Sequence, residues 1–145
     1  MALTVIEQII NAIVAELDKP AYSFGSVVNL EPAALDVDQW ADPQCFVWQG
    51  TDRPVQGDVA ISAVNMEIWR LPVSIAIYGG GLLETYLGKI GTAMSVDPTW
   101  GGLALDTTRI SIVLQDHDPS RDVSALLTVY EVMFRVAEGD PYLGA

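Results

Sequence analysis

WRLPVSIAIYGGGLLETYLGKI, residues 69–90, changes period in its middle. Trp69, Leu71, Val73, Ile75 and Ile77 alternate with Arg70, Ser74 and Tyr78, so Val64 to Tyr78 reads as a strand with its heavier apolar side on the core. Past the triple glycine at 79–81, Leu83, Leu87, Ile90 and Met94 recur at helical spacing, and residues 82–96 read as a helix. Pro72 has no N–H to give to a ladder, which predicts an edge position or a nearby bulge. Gly88 and Gly91 weaken the helix, and the expected return is close approach to a neighbouring backbone.

Outward from this unit the same two periods recur. Leu3, Ile6, Ile10, Ile13 and Leu17 form an apolar stripe, predicting an amphipathic helix over residues 2–18 that ends before Pro20. Val27 to Pro43 reads mostly as loop with a short extended piece at 26–30, QCFVWQG at 44–50 as a strand, and TDRPVQGD after it as a turn or longer loop. In VDPTWGGLALDT, residues 96–107, Asp97 and Pro98 stop the second helix, Gly101 and Gly102 permit a sharp reversal, and Leu103 returns to the core. Trp100 then caps that turn or faces a neighbour. Two further strands, about 104–115 and 123–137, flank the polar DHDPSRD and make an antiparallel pair, with Ile110, Ile112 and Leu114 sharing one face opposite Arg109, Ser111 and Gln115. Without a βαβα alternation, the fold class is α+β: a largely antiparallel or mixed sheet with two main helices packed on one face, residues 1–145 forming one domain.

Composition narrows the function classes. The chain has 145 residues, of which 50% are apolar and 18% charged, too hydrophobic for disorder and too often interrupted for a membrane span. Glu7 breaks the first apolar stretch and no basic segment precedes it, so the start reads as a helix and not as a signal peptide. A net charge of −12 repels phosphate backbones and disfavours tight nucleic-acid binding, while leaving a passive path for DNA open. It also opposes self-association, so any oligomer needs specific apolar or paired contacts.

The chemical motifs are weak. GGGLLETYLGK lacks the glycine offset of a phosphate loop, and Ile90 stands where Ser or Thr is needed. Asp36 and Asp38 match two calcium-loop offsets, yet Trp40 takes the third and no glycine follows, so a solvated acidic loop is favoured. His117 between Asp116 and Asp118 reads as a hairpin turn, because strand neighbours point to opposite sides and do not converge on one metal. Cys45 has no second cysteine, and nothing marks a nucleophile next to the single histidine. The reading is of a non-enzyme with no catalytic, cofactor or metal residues, in which replacing His117 or Cys45 by Ala leaves function intact. Four tryptophans remain: Trp69 fits the core by its period, whereas Trp40 and Trp100 lie in loop contexts and are interface candidates.

A leading amphipathic helix, a strand entering GGGLLETYLGKIGTAMSVDPTWGGLALDT, and a closing strand ending in YEVMFRVAEGDPY resemble the tail terminator (tail completion) proteins of long-tailed bacteriophages. In that family a helix often ends in an Asp-Pro or Asp-Thr turn, followed by Gly-Gly-Leu, paired strands, and a last strand finishing near an aromatic and a DP pair. The resemblance spans residues 3–142. It implies a virion protein at the head-proximal end of the tail: a homo-oligomeric ring, hexameric in the family, that sits on the tail-tube protein, stops its polymerisation and meets the head-tail connector. DNA would pass through its lumen without specific binding, and no membrane is involved. Runner-up readings are another neck, tail-tube or minor tail protein, and then a small cytosolic enzyme or binding module. A tail-tube protein would be all-β, which the two helices oppose.

In such a ring like-charged subunits repel at every joint. Arg70, Arg109 and Arg135 are three of seven basic residues and all fall within strands. Each can pair with acids of its own sheet face or bridge to a neighbouring subunit.

Overall fold

The computed structural model describes residues 4–22, 24, 26–29, 44–49, 56–59, 66–79, 83–118, 123–137 and 140–144. Helix α1 (Val5–Leu17) starts at Thr4, whose Oγ1 accepts the Glu7 N–H at 3.1 Å. Its buried face is Val5, Ile9, Ile10, Ile13, Glu16 and Leu17, while Ile6 is only partly buried and Leu3 lies outside the described residues. The inward stripe is therefore rotated slightly from the one the spacing suggests. A short 3-10 turn, Pro20–Tyr22, follows and buries Tyr22.

Among the described residues seven strands form one sheet: β1 (Ser26–Asn29), β2 (Gln44–Gln49), β3 (Gln56–Val59), β4 (Met66–Gly79), β5 (Asp106–Asp118), β6 (Val123–Ala137) and β7 (Asp140–Gly144). The main order is β1-β2-β4-β6-β5, with β3 on β4 and β7 on β6; only β1–β2 is parallel. Helix α2 (Leu83–Val96) packs on β5 and β6, α1 packs on β1, β2 and β7, and the helices touch each other. The fold is α+β, as the two periods indicate.

Register explains the core. Leu71, Val73, Ile75 and Ile77 of β4 lie opposite Val132, Tyr130, Thr128 and Leu126 of β6, and Ile75 and Ile77 lie opposite Val47 and Cys45 of β2. These side chains meet Ile9, Ile13 and Leu17 of α1 and Tyr86, Ile90, Ala93 and Met94 of α2 in one buried cluster. At about 25 cal/mol per Å² of apolar surface, burial of this set is the main favourable term in folding. The opposite pleat is also covered at its centre: Phe46, Ser74 and Ala76 are buried. There the Phe46 and Tyr78 rings meet edge to face, with centroids 5.8 Å apart.

Three expectations need correction. Strand β4 is central, between β2 and β6, not an edge. Pro72 is tolerated because the β3 ladder reaches Arg70 and the β2 ladder reaches Val73, and among the described residues no ladder partner on that side faces Leu71 or Pro72. TDRPVQGD is not all loop, since β3 starts at Gln56, and a seventh strand follows β6. Finally, the ladder of β5 on β6 skips one residue between Arg109 and Ser111. Arg109 faces Tyr130 and Ile112 faces Thr128, so this bulge puts Arg109 and Ile112 on the same, helix-covered side of the sheet. The carbonyl of Ser111, displaced by the bulge, accepts the buried Thr128 hydroxyl at 3.1 Å.

Candidate subunit interface

Residues 97–107 carry α2 into β5 by a turn organised around one carboxylate. Asp97 Oδ1 accepts the Thr99 N–H at 3.0 Å and the Thr99 hydroxyl at 2.7 Å, and Oδ2 accepts the Gly101 N–H at 2.8 Å. These donors, the Thr99 hydroxyl foremost, hold its pKa below the ordinary carboxylate range. Trp100, Gly101 and Gly102 all have positive φ, of 51°, 72° and 92°. Glycine adopts this region freely, whereas Trp100 is strained there. Its indole explains why the strain persists: it is 7% exposed, and Nε1 donates to Thr107 Oγ1 at 2.9 Å, which in turn donates to Pro98 O at 2.8 Å. Trp100 is thus a turn cap and no exposed anchor. Beside it, an open groove of about 410 Å³ runs between the ends of the helices, lined by Ala12, Ala15, Glu16, Val96 and Trp100 among others. Lys19 closes one side, its ammonium 2.7 Å from the Glu16 carboxylate, which raises the Lys19 pKa.

The three strand arginines fall into different environments. Arg70 points away from the helices, with Nε 3.8 Å from Glu131 Oε1. Both side chains are partly exposed, so this contact contributes at most about 1 kcal/mol. Arg135 is exposed on that same pleat, opposite Ile68 of β4. Arg109 is on the other pleat, where its Nε and Nη2 donate to the Tyr130 hydroxyl at 3.1 and 2.8 Å and its Cζ lies 5.4 Å from the ring centroid. Gly91 of α2 makes room for it: a Cβ there would stand 3.0 Å from Arg109 Nη2. The close approach expected at this glycine is therefore to a side chain and not to a backbone, while Gly88 has open space around it. Tyr130 and Gly91 carry no sequence mark as partners of Arg109; only the folded register joins them.

Trp40, Asp36 and Asp38 lie outside the described residues, as do the side chains of Asp116, His117 and Asp118. Cys45 is buried, and desolvation pushes its thiol up to about 12, far from a reactive thiolate. Among the described residues no three His, Cys, Asp or Glu side chains are grouped to hold a metal, and no helix is long and apolar enough to cross a membrane. Among the described residues the exposed large apolar side chains are Val28 on β1, Val96 at the end of α2, Leu105 just before β5 and Ile112 on β5. Among the described residues β5 pairs only with β6, which leaves a 13-residue strand at the border of the described sheet.

No protein-family model and no curated protein matches the chain. Among solved structures, it is similar to a chain of a structure described as the virion of a native gene transfer agent particle, with 11% identity, a TM-score of 0.44, and coverage of 91% of this chain and 93% of that one. At that level of similarity the match supports no conclusion about the fold or role of this chain.

Proposed function

We propose that this chain is a structural protein of a phage tail that caps the end of the tail tube as a ring, stops its growth and offers a surface to the head-side connector. The observation that carries this reading is the order of the motifs in the sequence together with their form in the fold. A leading helix, a long strand into the glycines, a second helix, an Asp-Pro turn with Gly-Gly-Leu and a closing pair of long strands follow one another as in tail terminator proteins. Two features support an assembling protein. A long border strand with exposed Ile112 is a pairing hazard in a monomer and is tolerated where a neighbour covers it. The surplus of acid, −12 over 145 residues, would let DNA slide through a lumen instead of gripping it.

The test is electron microscopy of the purified protein, alone and mixed with tail tubes assembled without it. Rings seated at one end of tubes, with tube growth halted on addition, are the expected result. Tubes that keep lengthening and carry no density at their ends would rule the role out.

A further inference from the structure

Among the described residues no counter-charge holds Arg109 in place. Two of its five N–H donors go to the Tyr130 hydroxyl, and among the described residues no carboxylate pairs with it. It is nevertheless exposed, and it stands on the border strand β5. A guanidinium in a chain with 19 acidic and 7 basic residues would ordinarily find a carboxylate, since the supply is nearly threefold. Here Gly91 lets the guanidinium lie against α2, where an added Cβ would stand 3.0 Å from Nη2, and Tyr130, 5% exposed, fixes its direction from below. The bulge at Ile110 adds Ile112, 41% exposed, on the same side of the same strand. A preset cation next to an uncovered aliphatic side chain is the arrangement in which an incoming carboxylate is both paired and partly desolvated.

We propose that Arg109 is the docking residue for a carboxylate of a second copy of this chain. The border position favours that occupant. Among the described residues β5 pairs only with β6 and carries Arg109 on the same side as exposed Ile112, so a copy that covers this strand brings one of its 19 acids onto a guanidinium that has no carboxylate there. The neighbour's carboxylate accepts from the free Nη1 and Nη2 hydrogens in the two-point geometry that arginine offers. Arg70, already near Glu131, is less available for that work. The inference rests on the ring reading, and it names the contact that overcomes repulsion between subunits.

Two variants test it. In sedimentation velocity R109Q should remain folded by circular dichroism, and the concentration at which it assembles should rise roughly 30-fold over wild type, as for truncation of one partner of a buried charge pair. R109K places an amine at this position, and a carbodiimide should couple it to a carboxylate of another chain, seen as an intermolecular cross-linked peptide by mass spectrometry. R109Q assembling like wild type, or R109K linking only within its own chain, overturns the docking role while leaving the ring in place. Unchanged assembly with loss of DNA retention would give Arg109 to a phosphate and overturn it too. Wild-type protein that stays monomeric alone and on tail tubes overturns the ring reading and this inference together. Should R109Q fail to fold, the R109K cross-link decides.

Discussion

Single residues in α2 show how one amino-acid type serves two ends. Gly88 and Gly91 are one helical turn apart, and each costs about 1 kcal/mol of helix propensity relative to Ala. Around Gly88 nothing would meet an added methyl, whereas at Gly91 it would press on the Arg109 guanidinium at 3.0 Å. Gly88→Ala should therefore raise the melting temperature by about 2 to 4 °C, in line with a gain near 1 kcal/mol in a chain of this size. Gly91→Ala should gain less, because Arg109 must leave Tyr130. Equal gains in calorimetry would show that the guanidinium is not fixed beneath the helix. None of this was legible in the sequence, where both glycines stand at similar spacing and the three strand arginines look alike. What separates Arg109 is a bulge and a tyrosine 21 residues away.

Elements were more readable, for a physical reason. Helices α1 and α2 and strands β2, β4, β5 and β6 follow periods that are written into the chain and can be placed within a few residues, although β2 and β4 are buried on both pleats at their centre and no described residue of β5 is buried. Strands β3 and β7 are short, contain Gly, Asp or Pro, and owe their conformation to β4 and β6, so local pattern cannot mark them. The same holds for the central place of β4: a proline argues for an edge until the pairing of β4 with both β2 and β6 is known. For α1 the prediction is direct. Ile10, 4% exposed, faces the sheet beside Ile9 and Ile13. Ile10→Asp would bury an unpaired carboxylate at a cost of several kcal/mol, set against a total stability of about 5 to 15 kcal/mol. Loss of cooperative unfolding in urea is the expected outcome; a soluble variant with the wild-type midpoint would mean that this helix face is not core.

For the molecule as a whole, two titrating groups bound the range of pH in which the fold is stable. The Asp97 carboxyl is held below its usual 3.8 by the turn it organises, so its contribution is present above that pH and is lost as pH falls further. The Cys45 thiol is raised from 9.0 to about 12, so its burial favours the fold below about 9 and loses that advantage as pH rises toward 12, with Tyr78 shifted in the same direction. Thermal melts across pH should therefore show a plateau between about 4 and 9 that falls on both sides. Asp97→Asn should lower the plateau and flatten its acid shoulder, and an unchanged shoulder would refute the assignment.

The position of β6 also sets when this chain can fold. It pairs with β4, β5 and β7, and β4 can complete its apolar face only against it. Yet Ala137 is made 58 residues after Gly79, the difference of their numbers, which at about 5 to 20 residues per second is a delay of roughly 3 to 12 s. Throughout that interval the ribosome displays Leu71, Val73, Ile75 and Ile77 without their partner strand. Heavy demand for chaperone cover during synthesis, and almost none after release, is the cost of making a middle strand of the sheet so late.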